Sequence, residues 1–268
     1  QIAPAFVGQF GPKVTPEIFK TALKQLGFAE VYETAIGADL GCIAEAEHYV
    51  KQVATGKQAF ALTSCCPSWS VMAKNLFPET IDKISNELTP MVATARIIKK
   101  EHPDAHVVFI GPCASKKLEA SRRTIRSDVD FVITFEELDA IFVSRDIEFD
   151  DFRVGVPMED ATGAGRGYAV AGGVAKAVEA CIKEYYPGTE VNIEHAESLA
   201  ECKKMLLLAK AGKKNGCLIE GMACPGGCIA GAGTNIPINK ATVNVHNFVS
   251  STKKALPDKD VVKDYHPE

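Results

Sequence analysis

Nine cysteines stand in this chain of 268 residues, and five of them fall in three short stretches. Cys65 and Cys66 are adjacent in TSCCPSW, Cys113 lies in GPCASKKLE, and Cys224 and Cys228 lie in EGMACPGGCIAGAG. An odd count at irregular spacing argues against a disulfide framework and for metal or redox chemistry. Each stretch follows a run that reads as a strand, and strand ends in open α/β folds converge on one ligand-binding edge. Four thiolates gathered there would hold a cubane iron–sulfur cluster. The surrounding prolines and glycines fit that use, because they shape tight loops and let backbone N–H groups come close to cluster sulfides.

Two other readings stay open on spacing alone. Strand-end cysteines can be small buried hydrophobes. Four cysteines can also make a tetrahedral zinc site, although the usual pair of C-x-x-C knuckles is missing from this sequence. Cys42, Cys181, Cys202 and Cys217 sit in helical or strand text without partners and read as packing residues. No C-x-x-C-x-x-C run occurs, so the expectation is that no ferredoxin-like accessory cluster is carried here.

The elements that must position these thiols are short apolar runs alternating with helical spacing. Strands are expected in the 57–63 region, at 106–112, 129–135, 191–196 and 216–222, and helices at 15–26, 38–54, 89–101, 135–144, 167–185 and 198–211. Thr15 reads as an N-cap with Pro16 in the first turn. The alternation indicates an α/β protein with largely parallel pairing. The acidic, poorly patterned stretch 145–162 is expected to separate two lobes, roughly 1–150 and 151–268, and the tail from Asn235 to wrap the surface.

Composition sets the outer bounds. With 46% hydrophobic and 24% charged residues and a formal net charge of -4, the chain is expected to be globular, with no footprint for nucleic acid or anionic membrane. No run approaches the roughly 18 apolar residues of a membrane span, and nothing resembles a secretory signal, so a cytoplasmic protein is expected. Gln1 is not an initiator methionine, which points to an excised piece whose upstream part is missing. The glycines of GAGRG, 163–167, do not follow G-x-G-x-x-G, since Tyr168 takes the last position. They read as close helix packing rather than a dinucleotide loop.

Taken together, TSCCPSW, PCASKKLE and EGMACPGGCIAG resemble the three signatures of the catalytic domain of iron–iron (FeFe) hydrogenases, TSCCP-x-W, PC-x-x-K-x-x-E and E-x-MAC-x-x-GC-x-x-G, in order. IAPA, GADL and TGAGRGYAVAGGV extend the resemblance over nearly the whole chain. It implies two α/β lobes, each a small mostly parallel sheet flanked by helices, with the iron cofactor in the cleft between them. It implies a 4Fe–4S cubane joined to a two-iron unit carrying CO, CN and a bridging dithiolate amine, the H-cluster. Cys66, Cys113, Cys224 and Cys228 would ligate the cubane, with Cys228 bridging to the two-iron unit. Side chains of adjacent residues on extended backbone point opposite ways, so Cys65 would face the bridging amine as proton donor and acceptor. A thiol suits that task where nearby charge brings its pKa towards neutrality.

The resemblance also assigns Lys116 to a cyanide ligand, Met222 to packing beside the two-iron unit, and Ala3, Pro4 and Ala5 to the loop over the cyanides. Its proton route corresponds here to Glu45 and Ser85, with His48 where the family has an outer glutamate. Glu45 and His48 share a helix face, and histidine relays protons near neutral pH. Gly111 stands where many members have a methionine, Tyr168 where phenylalanine is common, and GAGT where three glycines are usual; these mark a divergent branch.

The activity implied is reversible hydrogen oxidation and proton reduction under anaerobic conditions. H2 and protons would be substrates, ferredoxin or a similar small redox carrier the electron partner, and hydrogenase maturation proteins the source of the two-iron unit. A hydrogen-sensing module with slow turnover and a non-catalytic iron–sulfur carrier related to hydrogenases are the alternatives.

Overall fold

The run Cys217-Leu-Ile-Glu-Gly-Met222 is buried at every position, as befits a central strand covered on both faces. The computed structural model describes residues 1–124 and 128–262. Among these, β1 (Ala61–Leu62), β2 (Val108–Ile110), β3 (Phe131–Ile133), β4 (Asn192–Glu197) and β5 (Cys217–Met222) form two small sheets. One has the order β1-β5-β4 and the other pairs β2 with β3. All pairings are parallel: Ala61 lies opposite Leu218, Asn192 opposite Cys217, and Val108 opposite Phe131. Each strand falls where an apolar run predicts it, with trimmed ends except that β4 runs one residue further, to Glu197.

Around the sheets lie α1 (Pro16–Gln25), α2 (Ala35–His48), α3 (Pro67–Leu76), α4 (Pro90–Glu101), α5 (Ser115–Ala120), α6 (Phe135–Ser144), α7 (Gly163–Gly167), α8 (Gly173–Tyr185), α9 (Leu199–Lys210) and α10 (Ile238–Ser250). The fold is therefore mixed α/β with small parallel sheets flanked by helices. Thr15 caps α1 by accepting from the Ile18 N–H at 3.3 Å, with Pro16 at the first position. α2 is wound more loosely at its end, where Tyr49–Val53 make a π-helical turn directly after His48.

Two expectations are corrected. Among its described residues the tail is not merely a surface wrap, residues 263–268 lying outside them: α10 buries Ala241, Val245 and Phe248, spaced four and three apart as one helix face requires. Nor does the stretch 145–162 divide the chain into contiguous lobes, because β1 belongs to the sheet of β4 and β5. That stretch is tied inward. Arg166 donates to both Glu33 oxygens, at 2.7 and 2.6 Å, and to the Met158 carbonyl at 3.1 Å.

One contact sets the approach of the first cysteine loop to the central strand. Trp69, 0% exposed, donates from its indole to the Thr63 carbonyl at 3.0 Å. A Cβ on Gly221 would lie 2.1 Å from its ring, so β5 admits only glycine there. Gly221→Ala is expected to destabilise the fold by about 1–3 kcal/mol, the usual penalty of overpacking, seen as a lowered urea midpoint. An unchanged midpoint would show that the ring yields freely.

Candidate functional site

The loops after β1, β2 and β5 open into one cavity between the two sheets, lined by Cys65, Cys66, Cys113, Cys224 and Cys228. Local structure holds each in place. Cys66 is extended (φ -95°, ψ 111°) and precedes Pro67, the first residue of α3, so proline starts the helix immediately beyond the thiol. Backbone N–H groups of Trp69 and Ala223 point at the Cys66 sulfur. Cys113 leads into α5, and the Ser68 and Ser115 hydroxyls, 2.6 Å apart, tie α3 to α5. Between Cys224 and Cys228 the chain turns through Gly226 and Gly227, both at φ 92°, a conformation that favours glycine. A Cβ on Gly227 would also lie 2.5 Å from the Ala171 nitrogen.

The remaining cavity wall takes in most of the other sequence-predicted residues. Lys116, Met222 and Tyr168 line it, as do Ala3, Pro4 and Ala5, which are held over it by the Ala3 N–H donating to the Ile110 carbonyl at 2.8 Å. Gly111 is displaced from the wall by its neighbour: a Cβ there would lie 2.6 Å from the Phe109 ring and 2.9 Å from Ala3 Cβ, and Phe109 itself lines the cavity. Glu45 and Ser85 lie outside the lining, the serine hydroxyl acting on the Glu45 carboxyl against the effect of burial. The His48 ring, half-buried, has no hydrogen-bond partner among the described residues.

Electrostatics separate the thiols from the one cation. Burial pushes the thiols of Cys66, Cys224 and Cys228 above their ordinary range, and neighbouring cysteines add to the rise. Such thiols are released as thiolates by cations placed among them, which is the chemistry of iron–sulfur ligation. Four thiols spread around a cavity suit a multi-atom cluster better than one tetrahedral zinc ion with sulfur at ~2.3 Å. Among the described residues, no three His, Cys, Asp or Glu side chains gather as a single-ion site.

Burial disfavours the Lys116 charge, but the Glu119 carboxylate 2.7 Å away outweighs it and holds the ammonium above its ordinary range. Lys116 also donates to the Cys65 carbonyl at 3.4 Å. An ammonium has three donors, so one remains for an anion in the cavity.

Cys65 departs from the sequence-based expectation. Its thiol is held well above its ordinary range by burial, with the Glu220 and Glu45 charges adding to the effect. Carboxylates contribute most to this rise after burial, so in this setting the group is a protonated thiol rather than a thiolate. The Tyr168 hydroxyl is buried with no partner among the described residues, an uncommon state for such a group.

Three contributors were not singled out from sequence. Glu119 and Glu220 are the glutamates of PCASKKLE and EGMAC, and their place in those motifs was the available signal. Glu220, 0% exposed, accepts from the Gly172 and Ala175 N–H groups at 2.9 and 2.8 Å, at the start of α8. Burial raises its carboxyl to about 7 against those bonds. Phe109 carries no sequence signal beyond its place in an apolar strand. A separate groove of about 1080 Å³ along α10 has no cysteine in its lining.

Fold and cavity define an α/β domain with a pocket lined by five cysteines and one lysine. Residues 1–232 match the family described as iron only hydrogenase large subunit, C-terminal domain, and the chain belongs to that family. It is 28% identical over 265 residues to iron hydrogenase 1 of Clostridium pasteurianum, covering 84% of this chain and 46% of that protein. It is 30% identical over 129 residues to the cytosolic Fe-S cluster assembly factor NAR1 of Meyerozyma guilliermondii, covering 43% of this chain and 24% of that one. The chain thus spans about half the length, or less, of these curated relatives. An apo FeFe hydrogenase from Chlamydomonas reinhardtii superposes with a TM-score of 0.74 at 21% identity, covering 99% of this chain and 88% of that chain; this likeness is one of fold. No helix among the described residues is long and apolar enough to cross a membrane.

Proposed function

We propose that this domain is the catalytic part of an iron–iron hydrogenase, interconverting H2 with protons and electrons. The observation that carries the reading is the single cavity shared by four strand-end cysteines, Lys116 and Met222. Cys66, Cys113, Cys224 and Cys228 would hold the cubane, Cys228 also reaching the two-iron unit. When bound, that pair of metal groups supplies electron transfer and an open iron site for hydrogen chemistry.

The chain's own residues do the rest. Lys116 offers its remaining donor to an anionic ligand, while Met222 and the Ala3–Ala5 loop exclude water. Cys65 holds a proton at its sulfur beside that space, and Glu45 and Ser85 lead away from it. A ferredoxin-type carrier would supply electrons and maturation proteins the two-iron unit, in an anaerobic cytoplasm.

The NAR1 match favours a second reading, a non-catalytic iron–sulfur carrier. Infrared spectra of anaerobically matured protein, with a hydrogen-evolution assay, separate the two. Carbon monoxide and cyanide bands with turnover are expected. Bands with little turnover would favour a hydrogen sensor, and no bands after competent maturation would leave the carrier.

A further inference from the structure

Glu87 belongs to none of the signatures, yet its segment is fixed against the one that delivers Cys65. Ile84 bridges to Leu62, and the Ser85 N–H donates to the Leu62 carbonyl at 2.7 Å. The Ser64 hydroxyl donates to the Glu87 carbonyl at 2.9 Å, and the Glu87 N–H donates to Ser85 Oγ at 3.2 Å. Residues 84–87 thus run beside the strand end that carries the active thiol.

Two side chains of this segment, Ser85 and Glu87, act on the Glu45 carboxyl. The Ser85 hydroxyl opposes the effect of burial there and, accepting from one N–H, keeps its own proton to donate. Glu45 and Glu87 each have one buried carboxyl oxygen without a partner among the described residues. Buried polar atoms are normally paired, so these two oxygens mark places where a proton or water is taken up. Glu45 is 7% exposed, whereas Glu87 is half-buried; the pair spans the wall from interior to surface. The groups acting most strongly on the Glu45 carboxyl, after burial and Ser85, are Glu87 and Glu220, not His48.

We propose that Glu87 is the outward proton carrier of this chain, exchanging protons with Glu45 through Ser85, so that the route leaves at residue 87 rather than at His48. The inference rests on the hydrogenase reading for the source and use of the proton. In the outward-to-inward direction the Ser85 hydroxyl gives its proton to the Glu45 carboxylate and takes one from the Glu87 carboxylic acid. One O–H bond breaks and one forms at each transfer, no electron moves, and Glu87 is reprotonated by water. Burial holds both carboxyls above the ordinary range, with Glu47 adding to the effect on Glu87, which favours the proton-carrying form of each.

The test compares matured, cofactor-loaded wild type with Glu87→Gln, and with His48→Gln as the rival exit. Glu87→Gln is expected to keep iron content and the carbon monoxide and cyanide bands while turnover falls roughly tenfold or more, within the range of lost acid–base assistance. Its solvent deuterium isotope effect should rise. In the carboxylic-acid infrared region one stretch should vanish and that of Glu45 should shift. Wild-type turnover in Glu87→Gln, a loss confined to His48→Gln, or a Glu45 stretch unmoved by Glu87→Gln would each overturn the proposal. If wild type itself shows no turnover, the hydrogenase reading fails, while the carboxyl stretches still decide whether Glu45 and Glu87 are coupled.

Discussion

Cys65→Ala is expected to lower hydrogen turnover by roughly 10²–10⁴-fold, the range lost with a positioned acid–base group, while iron content and the infrared bands stay as in wild type. The substitution leaves in place what else residue 65 does. Lys116 donates to its backbone carbonyl, which alanine retains, and the adjacent Cys66 keeps the Trp69 and Ala223 N–H groups beside its sulfur. What disappears is a thiol held protonated by burial beside Glu220 and Glu45. Cys65→Ser separates two ways in which the thiol can matter. A hydroxyl is a much weaker acid, so a serine as slow as alanine would show that the thiol must give up its proton, whereas recovery would show that a hydrogen bond is enough. Full turnover in Cys65→Ala would remove Cys65 from the route, and a fall in iron content would make it a ligand instead.

The sequence carried the site further than the fold. All four proposed cluster cysteines stood in motifs at predicted strand ends, and the structure opens those ends into one cavity. The pairing that brings them there was hidden, because local periodicity reports burial and not which strand lies alongside. β1 is two residues long and its partner β5 lies more than 150 residues on, so contiguous lobes were the natural but incorrect expectation. α10 was missed because polar residues separate its few buried ones. Gly111 was legible as a departure, but not its cause, since only the fold puts the Phe109 ring and Ala3 where a side chain would go. Glu87 offered no signal at all: its place depends on hydrogen bonds between 62–64 and 85–87.

Glu45→Gln is expected to stabilise the cofactor-free protein at pH 8 by about 4 kcal/mol and at pH 5 by no more than about 1 kcal/mol. Burial, opposed by Ser85 and reinforced by Glu87 and Glu220, raises the Glu45 carboxyl from 4.5 to about 8. Between those values the folded chain holds a proton that the unfolded chain has lost, so this group's contribution to stability falls as pH rises from about 4.5 to about 8, by ~1.4 kcal/mol for each unit. Glutamine is neutral throughout and similar in shape, so it removes that slope. Contributions of groups that do not act on Glu45 cancel in the difference between variant and wild type. Urea denaturation at the two pH values measures it, and an equal change at both would show that ionisation of Glu45 is not what burial penalises. The same variant should slow turnover in loaded protein, because an amide cannot pass a proton from Ser85 towards Cys65. A substitution that makes the fold more stable and the enzyme slower identifies a group retained for chemistry, since an acid kept only for structure would lose both together.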